Sequence, residues 1–314
     1  FLLWFKPIRV IEMSDLNVFL STKQAASLLR VHESSVKRWC NGGELPCSAT
    51  SGGHRKIQVE HLMAFAKERN SPCVLSPFGP DAPEVWKGLV MLDGRRSYDQ
   101  LVISTQKWLE KSETTRIIAL ISHLLEEKHS LAAVMDGLLS PVMRHFGSLY
   151  VKGDMSIGDE HYVTQSMREV LIGLSLNSRE TRLSAESKTA VVGCARGEVH
   201  ELGALMVRLI LENAGWRTVY LGLNVPTEEF ADQQRKHKAG LVCVSITPVS
   251  GWGDVQNIVT LMNRMYEDHA PYRLAIGGAI MAHYTEFNQE GLAFEDLSFF
   301  DAIVPFHAWL EGQD

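Results

Sequence analysis

The hydrophobic period of this 314-residue chain changes once, near residue 188, and that change limits its fold more than any other feature. Upstream, apolar residues recur at helical spacing. Ile117, Ile118, Ile121, Leu124 and Leu125 form one stripe, and Val163, Met167, Val170, Leu171 and Leu174 form another. Four helices are predicted, near 97–110, 113–127, 130–148 and 158–176, with Gly153 and Gly158 in the last connection. From 188 onward, short β-rich runs alternate with helical stretches: Thr189–Cys194, Thr218–Leu221, Gly240–Ile246, Arg273–Ile276 and Asp301–Val304. That alternation predicts a parallel, doubly wound α/β sheet behind a four-helix bundle.

A second boundary lies nearer the start. The stretch NSPCVLSPFGPDAP carries prolines at 72, 77, 80 and 83, a density that argues against helix and for an extended tether. The expected division is a leader segment at 1–17, a small domain at 18–70, a Pro-rich linker at 71–94, the bundle at 95–186 and the sheet domain at 187–314. Composition excludes several classes. With 45% hydrophobic residues and a net charge of −6 the chain is not disordered. Its five cysteines are scattered and form no C-x-x-C pair, which argues against a disulfide scaffold. No apolar run approaches the ~18 residues of a membrane span. The opening FLLWF is followed at once by Lys6, with no basic segment before it, so it does not read as a signal peptide. A cytoplasmic chain with no membrane partner is expected.

Residues 18–70 hold eight Lys/Arg against four Asp/Glu, a local +4 on an otherwise acidic chain. Ser21 and Gln24 are spaced as a capping box, with Ala25, Leu28 and Leu29 as the apolar face behind them. A turn at Val31-His32 leads to a second helix, Glu33–Asn41, stopped by Gly42-Gly43. Ser34, Ser35, Lys37 and Arg38 are the polar side chains this helix offers to phosphates and base edges, while Val36 and Trp39 are expected to pack inward. Then SGGHRKI brings His54, Arg55 and Lys56 after a Gly-Gly turn, the form of a β-wing. A solvated basic hairpin would carry the same charges, but the order of turn, glycine stop and wing favours double-stranded DNA as partner. The segment resembles the winged helix-turn-helix of MerR and excisionase-like regulators.

In the sheet domain, Glu198-Val-His200-Glu-Leu-Gly203 follows the first strand, Ser245-Ile-Thr247 ends the third, and Gly277-Gly278 follows the fourth. Ligands of doubly wound sheets bind at the carboxyl ends of strands, and small or hydroxyl residues there describe a deep slot. At these separations E-x-H-x-x-G, S-x-T and G-G resemble the cobalamin-binding domain of methionine synthase, corrinoid proteins and cobalamin mutases, which has a flavodoxin-like fold. The resemblance implies that His200 is the lower axial ligand of cobalt, the one metal ligand, with Glu198 as its carboxylate partner where the family more often has Asp. It also implies that the displaced dimethylbenzimidazole tail passes Gly203, Ser245, Thr247, Gly277 and Gly278.

Tyr150, nine intervening residues and Glu160-His161 give a third pattern. It is similar to the W-x9-E-H of the CarH/LitR-type light-responsive repressors, whose bundle covers the upper face of adenosylcobalamin and whose oligomer (dimer or tetramer) holds DNA. Two departures stand out: Tyr150 replaces the tryptophan, and Val151 replaces a histidine that ligates cobalt after illumination in some members. Either His145, His129 or His123 supplies such a ligand instead, or the light product differs. Packing alternatives stand beside these roles: a core aromatic for Tyr150, a solvated first helical turn for Glu160 and His161.

The reading that joins these parts is a non-enzymatic transcriptional regulator, a repressor by resemblance, sensing light or corrinoid through adenosylcobalamin. Other readings stay open: a heme on His200, a bilin across the same face with Cys194 as its attachment point, a corrinoid carrier of a methyltransferase system, or a module that has lost its cofactor.

Overall fold

The computed structural model describes residues 19–179, 184, 187–247, 252–265, 271–278, 281 and 296–312; the expected leader lies outside them. The first helices are α1 (Thr22–Leu28) and α2 (Glu33–Asn41), and the capping box forms at Ser21. Strands β1 (Ser48–Ala49) and β2 (Arg55–Lys56) pair antiparallel as the wing, and a bridge from Leu20 to Ile57 continues it. Helix α3 (Val59–Glu68) closes the module. Leu20, Ala25, Leu28, Leu29, Val36, Leu45, Ile57 and Leu62 are buried, so the core draws on the apolar face of α1, one residue of α2, the residues flanking the wing and α3. Trp39 packs its ring 4.9 Å from that of Phe65, half-buried as a lid on the same core.

The expected tether is instead folded. Residues Ser76–Asp81 form a 3-10 turn and α4 spans Ala82–Arg95. The prolines do not prevent this, because Pro77 and Pro83 fall in the first turns, where a missing N–H has no partner to lose. Leu75 and Phe78 are buried, Phe78 stacks on Trp108 at 5.5 Å, and Asp81 accepts from Trp108 Nε1 (2.8 Å) and Arg116 Nη1 (2.7 Å). Val85, Trp86, Leu89 and Leu92 repeat at helical spacing beneath the proline signal and are buried. Helices α5 (Asp99–Glu110) and α6 (Thr114–Glu126) follow. The chain forms two compact units that part between His123 and Leu124, inside α6.

The second unit opens with α7 (Leu131–Val134), a π-helical turn Met135–Leu139, α8 (Ser140–Lys152) and α9 (Ile157–Arg179). The five residues of the predicted second stripe are all buried on α9. Then come β3 (Thr189–Ala195), α10 (Leu202–Asn213), β4 (Arg217–Val225), α11 (Thr227–His237), β5 (Leu241–Ser245), α12 (Trp252–Met265), β6 (Arg273–Gly277), β7 (Asp296–Phe300) and α13 (Ile303–Glu311). All pairings in this sheet are parallel, in the order β4-β3-β5-β6-β7. The fifth strand therefore lies before the predicted Asp301–Val304, whose residues instead form the entry to α13. Isoleucine and valine after Asp301 read as strand by propensity, but α13 is set by burial of Ile303, Phe306 and Leu310 at helical spacing.

The two faces of the sheet are built differently. Val191, Val242, Val244, Ile246, Leu274 and Ile276 pack against Phe230, Val255, Ile258, Val259 and Met262 of α11 and α12 in one dense core. On the other side, the registered row Val192, Cys243 and Ala275 and the next positions Ser245 and Gly277 are mostly small. That face carries the site.

Behind it, the buried Glu212 of α10 accepts from Ser175 on α9, Arg208 Nε (2.9 Å) and Thr218 Oγ1 (2.7 Å). Burial alone would raise this carboxyl, but the hydrogen bonds outweigh it and hold the pKa below the usual range. A depressed folded pKa contributes stability that is present above the unfolded value of ~4.3 and lost as pH falls below it. Urea unfolding should thus show a steady free energy from pH 7 to about 5 and a decline below. Glu212→Gln should cost about 3 kcal/mol at pH 7, by leaving Arg208 unpaired, and should flatten that acid limb.

Candidate functional site

On the basic module, Ser34, Lys37 and Arg38 are exposed on α2, Ser35 is half-buried, and His54 and Lys56 are exposed on the wing. Their environments differ. Ser34 Oγ lies 2.8 Å from His32 Nδ1, which caps α2 by accepting from Ser34 N–H, so Ser34 is engaged in starting the helix. Lys37 is paired with Glu33 at 3.1 Å, and Glu33 accepts from Thr22 Oγ1 at 2.6 Å, which ties α2 to α1. Arg55 donates to Asn41 Oδ1 at 2.6 Å, fastening the half-buried wing strand to the end of α2. Lys56 lies over the Phe19 ring at 5.2 Å. Arg38 keeps an exposed guanidinium on the open face of α2.

The strand order reverses between β3 and β5, and the loop after β3 carries Glu198 and His200 to that switch point. Glu198 is buried. One of its oxygens accepts from His200 N (2.7 Å) and bonds His200 Nδ1 (2.6 Å), while the other accepts from Thr247 N (2.6 Å). Burial pushes this carboxyl up, but those hydrogen bonds overcome it and hold it at about 2. The Glu198 hydrogen bond raises the His200 pKa in turn, burial lowers it, and the charges of Glu198 and Glu160 raise it further. With Nδ1 committed to the carboxylate, Nε2 is the nitrogen offered outward from a ring whose side chain is 60% exposed. The loop's other side is set by Asn224, which holds a left-handed φ of 52° and accepts from Gly197 N at 2.8 Å.

Beside the loop, a cavity of about 290 Å³ lies between the small face of the sheet and helices α8, α10 and α13. Gly203, Ser245, Gly277 and Gly278 are among the residues that line it; Thr247 is not, and its Oγ1 lies 3.4 Å from His200 Nδ1. A Cβ on Gly203 would come within 3.5 Å of Ser245 Oγ, and one on Gly277 within 3.2 Å of Phe300 O. The residues present fit a corrinoid: an outward imidazole nitrogen held by a carboxylate, next to a slot made by removing side chains. They would hold the cobalt at His200 and the tail in the slot.

Glu160, half-buried at the start of α9, accepts from Thr164 Oγ1 (2.8 Å), and its charge reaches His200. His161 Nε2 is 3.9 Å from the Glu160 carboxylate and is exposed, as are Tyr150 and Val151 at the end of α8. His145 instead packs its ring against Phe146 at 5.4 Å. Cys194 is buried, its thiol pushed up to about 12 by burial and then by Glu198 and Glu201, which disfavours the reactive thiolate that bilin attachment needs.

Two features carry no sequence signal. Asp136, on the π-turn, accepts from the N–H groups of Ile303 (3.0 Å) and Val304 (2.7 Å), fixing the first turn of α13 over the cavity from 167 positions away. Glu201, next to His200, accepts from Arg168 Nε (2.7 Å) and Tyr220 Oη (3.0 Å), joining α9 to the ligand loop. Both are tertiary pairings that no local pattern announces.

Comparison with known proteins places a helix-turn-helix domain at residues 19–70 and B12 binding domains at 107–174 and 188–302. The chain is 23% identical to the HTH-type transcriptional repressor CarH of Myxococcus xanthus, over 81% of this chain and 87% of that protein. It is 41% identical to the transcriptional repressor DcmR of Methylorubrum extorquens, over 21% of this chain and 24% of that one. The fold is shared with the monomethylamine corrinoid protein of Methanosarcina barkeri (TM-score 0.51, 16% identity, covering 67% of this chain and 96% of the other). With a DNA-binding module ahead of a helical and a sheet-based B12 binding domain in one chain, this is a cobalamin-binding transcriptional regulator, similar to CarH over most of its length.

Proposed function

We propose that this regulator takes adenosylcobalamin, is switched by light, and binds its operator as a homo-oligomer in the dark, in the cytoplasm and without catalytic turnover. The observation that carries the reading is the Glu198–His200 pair beside an open slot, in a chain that begins with a winged helix-turn-helix. In this reading residues 18–70 read DNA, 95–186 cap the cofactor and 187–314 hold it. His200 ligates cobalt through Nε2, Glu198 fixes the tautomer, and Gly203, Ser245, Thr247, Gly277 and Gly278 make way for the tail. Adenosylcobalamin supplies a cobalt–carbon bond that visible light breaks. Tyr150, Glu160 and His161 line the upper face, so a change there alters the seat of α8 and α9. Val151 has no ligating atom, so a second imidazole does not come from that position.

Oligomerisation has a physical basis. One winged helix makes few phosphate contacts, and coupling several raises the effective concentration at adjacent half-sites. The corrinoid-carrier reading leaves the DNA-binding module without a purpose. The test is the absorption spectrum and molar mass of the purified chain with adenosylcobalamin, in the dark and after green light. A spectral change accompanied by a change of mass supports the reading; a photolysed spectrum at constant mass refutes the switch by assembly.

Two cations of the proposed DNA-binding face differ in their pairing, Lys37 being held by Glu33. Arg38→Ala should weaken binding about tenfold and lower the salt slope by about 1. Lys37→Ala should do less, because Glu33 already holds Lys37. Titration of a labelled duplex at several salt concentrations checks both.

A further inference from the structure

We propose that the slot discriminates among corrinoids by their lower base, taking an apolar benzimidazole in preference to adenine. This rests on the cobalamin reading above. Val192, Cys243 and Ala275 form a registered floor across three strands, and Val207, Phe300 and Phe306 line the same cavity. The backbone of that floor is committed to its own ladder, and the one heteroatom among these side chains is the Cys243 sulfur, a weak donor. The cavity's hydroxyl and charged side chains come from elsewhere: Asp136, Ser140 and Arg144 from the helical segment, Ser245 from the carboxyl end of β5, and Asp301 from the chain just past the carboxyl end of β7. Asp136 is already committed to α13.

A benzimidazole with methyl groups presents carbon to such a floor. Adenine presents an exocyclic amine and further ring nitrogens, which the floor would leave without partners. One effect opposes the preference. Benzimidazole is the more basic base and holds cobalt more firmly in the free corrinoid, so displacing it costs more than displacing adenine. That cost belongs to the free corrinoid and cancels when the affinity ratio is compared between two proteins.

The experiment titrates the full chain with hydroxocobalamin, with its adenine-based analogue and with cobinamide, which lacks the tail, following absorbance. Val207→Thr and Cys243→Ser, both near-isosteric, are titrated alongside. The ratio of affinities for hydroxocobalamin and the adenine analogue is compared between wild type and each variant, so that the cost in the free corrinoid cancels. Each variant, by placing a hydroxyl beside the base, should shift the ratio toward adenine by about fivefold or more. A ratio unchanged in both variants overturns the proposal. Variants that change the affinity for cobinamide as much as for the two tailed corrinoids would show that the tail does not use the slot, which overturns the proposal while leaving cobalt binding intact. If none of the three binds, the cobalamin reading falls and takes this proposal with it.

Discussion

Replacing His200 by alanine is expected to cut cobalamin retention about 100-fold or more and to abolish the spectrum of an imidazole-coordinated corrinoid. The fold should survive, because the His200 ring is mostly exposed and the buried Glu198 keeps its hydrogen bonds from the N–H groups of residue 200 and Thr247. Glu198→Gln should give an intermediate loss of about 10–100-fold, the range for carboxylates that orient a metal-bound histidine. The glutamine keeps one acceptor but removes the charge that fixes the Nδ1 proton, and it places an amide where His200 N–H or Thr247 N–H now meets oxygen. Glu198 stands where the family it resembles more often has Asp. The longer side chain is accommodated by turning back on its own loop, so that one carboxylate bridges the loop after β3 and the loop after β5. Cobalamin titration of both variants, with urea unfolding as the control for fold, checks the ordering.

Gly278→Ala should be the most damaging of the slot substitutions. Gly278 holds φ at +119°, and a Cβ there would sit 2.1 Å from the carbonyl oxygen of Ile246. Nothing flexible stands in that position. The backbone of β5 would have to move, and with it the hydrogen bond from Ile246 N to Gly277 O (2.8 Å). A destabilisation of about 3 kcal/mol or more is expected from strain and clash together. Gly203→Ala makes the contrast: its Cβ would reach only ordinary contact with Ser245 Oγ, so stability should hold while cofactor affinity falls as the slot narrows. Unfolding midpoints and corrinoid titrations of the two variants separate a glycine needed by the backbone from one needed by the ligand.

The alternation of period showed the sheet domain because β3, β4, β5 and β7 are each followed by a helix. The slot was legible for a related reason. In Leu241–Ile246 and Arg273–Gly278, small residues alternate with Val, Leu and Ile, so one face is emptied and the other filled. The helix-turn-helix could be read because its caps and stops are local: Ser21 with Gln24, then Gly42. The 82–95 helix was hidden by prolines that a first turn tolerates. The last strand was displaced because β-branched residues at Ile303 and Val304 open a helix whose start is fixed by Asp136, a side chain far away in sequence. The Arg168–Glu201–Tyr220 link escaped for the same reason.

The central claim is that corrinoid held at His200 sets the affinity for DNA. It is tested most directly by measuring binding of the full chain, in the dark, to a duplex selected by this protein from a random pool, with and without adenosylcobalamin. Wild type and His200→Ala are compared at one salt concentration. At least a tenfold change in DNA affinity is expected on adding the cofactor to wild type, and no change in His200→Ala. Equal DNA affinity of the wild type with cobalamin bound and with none present would contradict it.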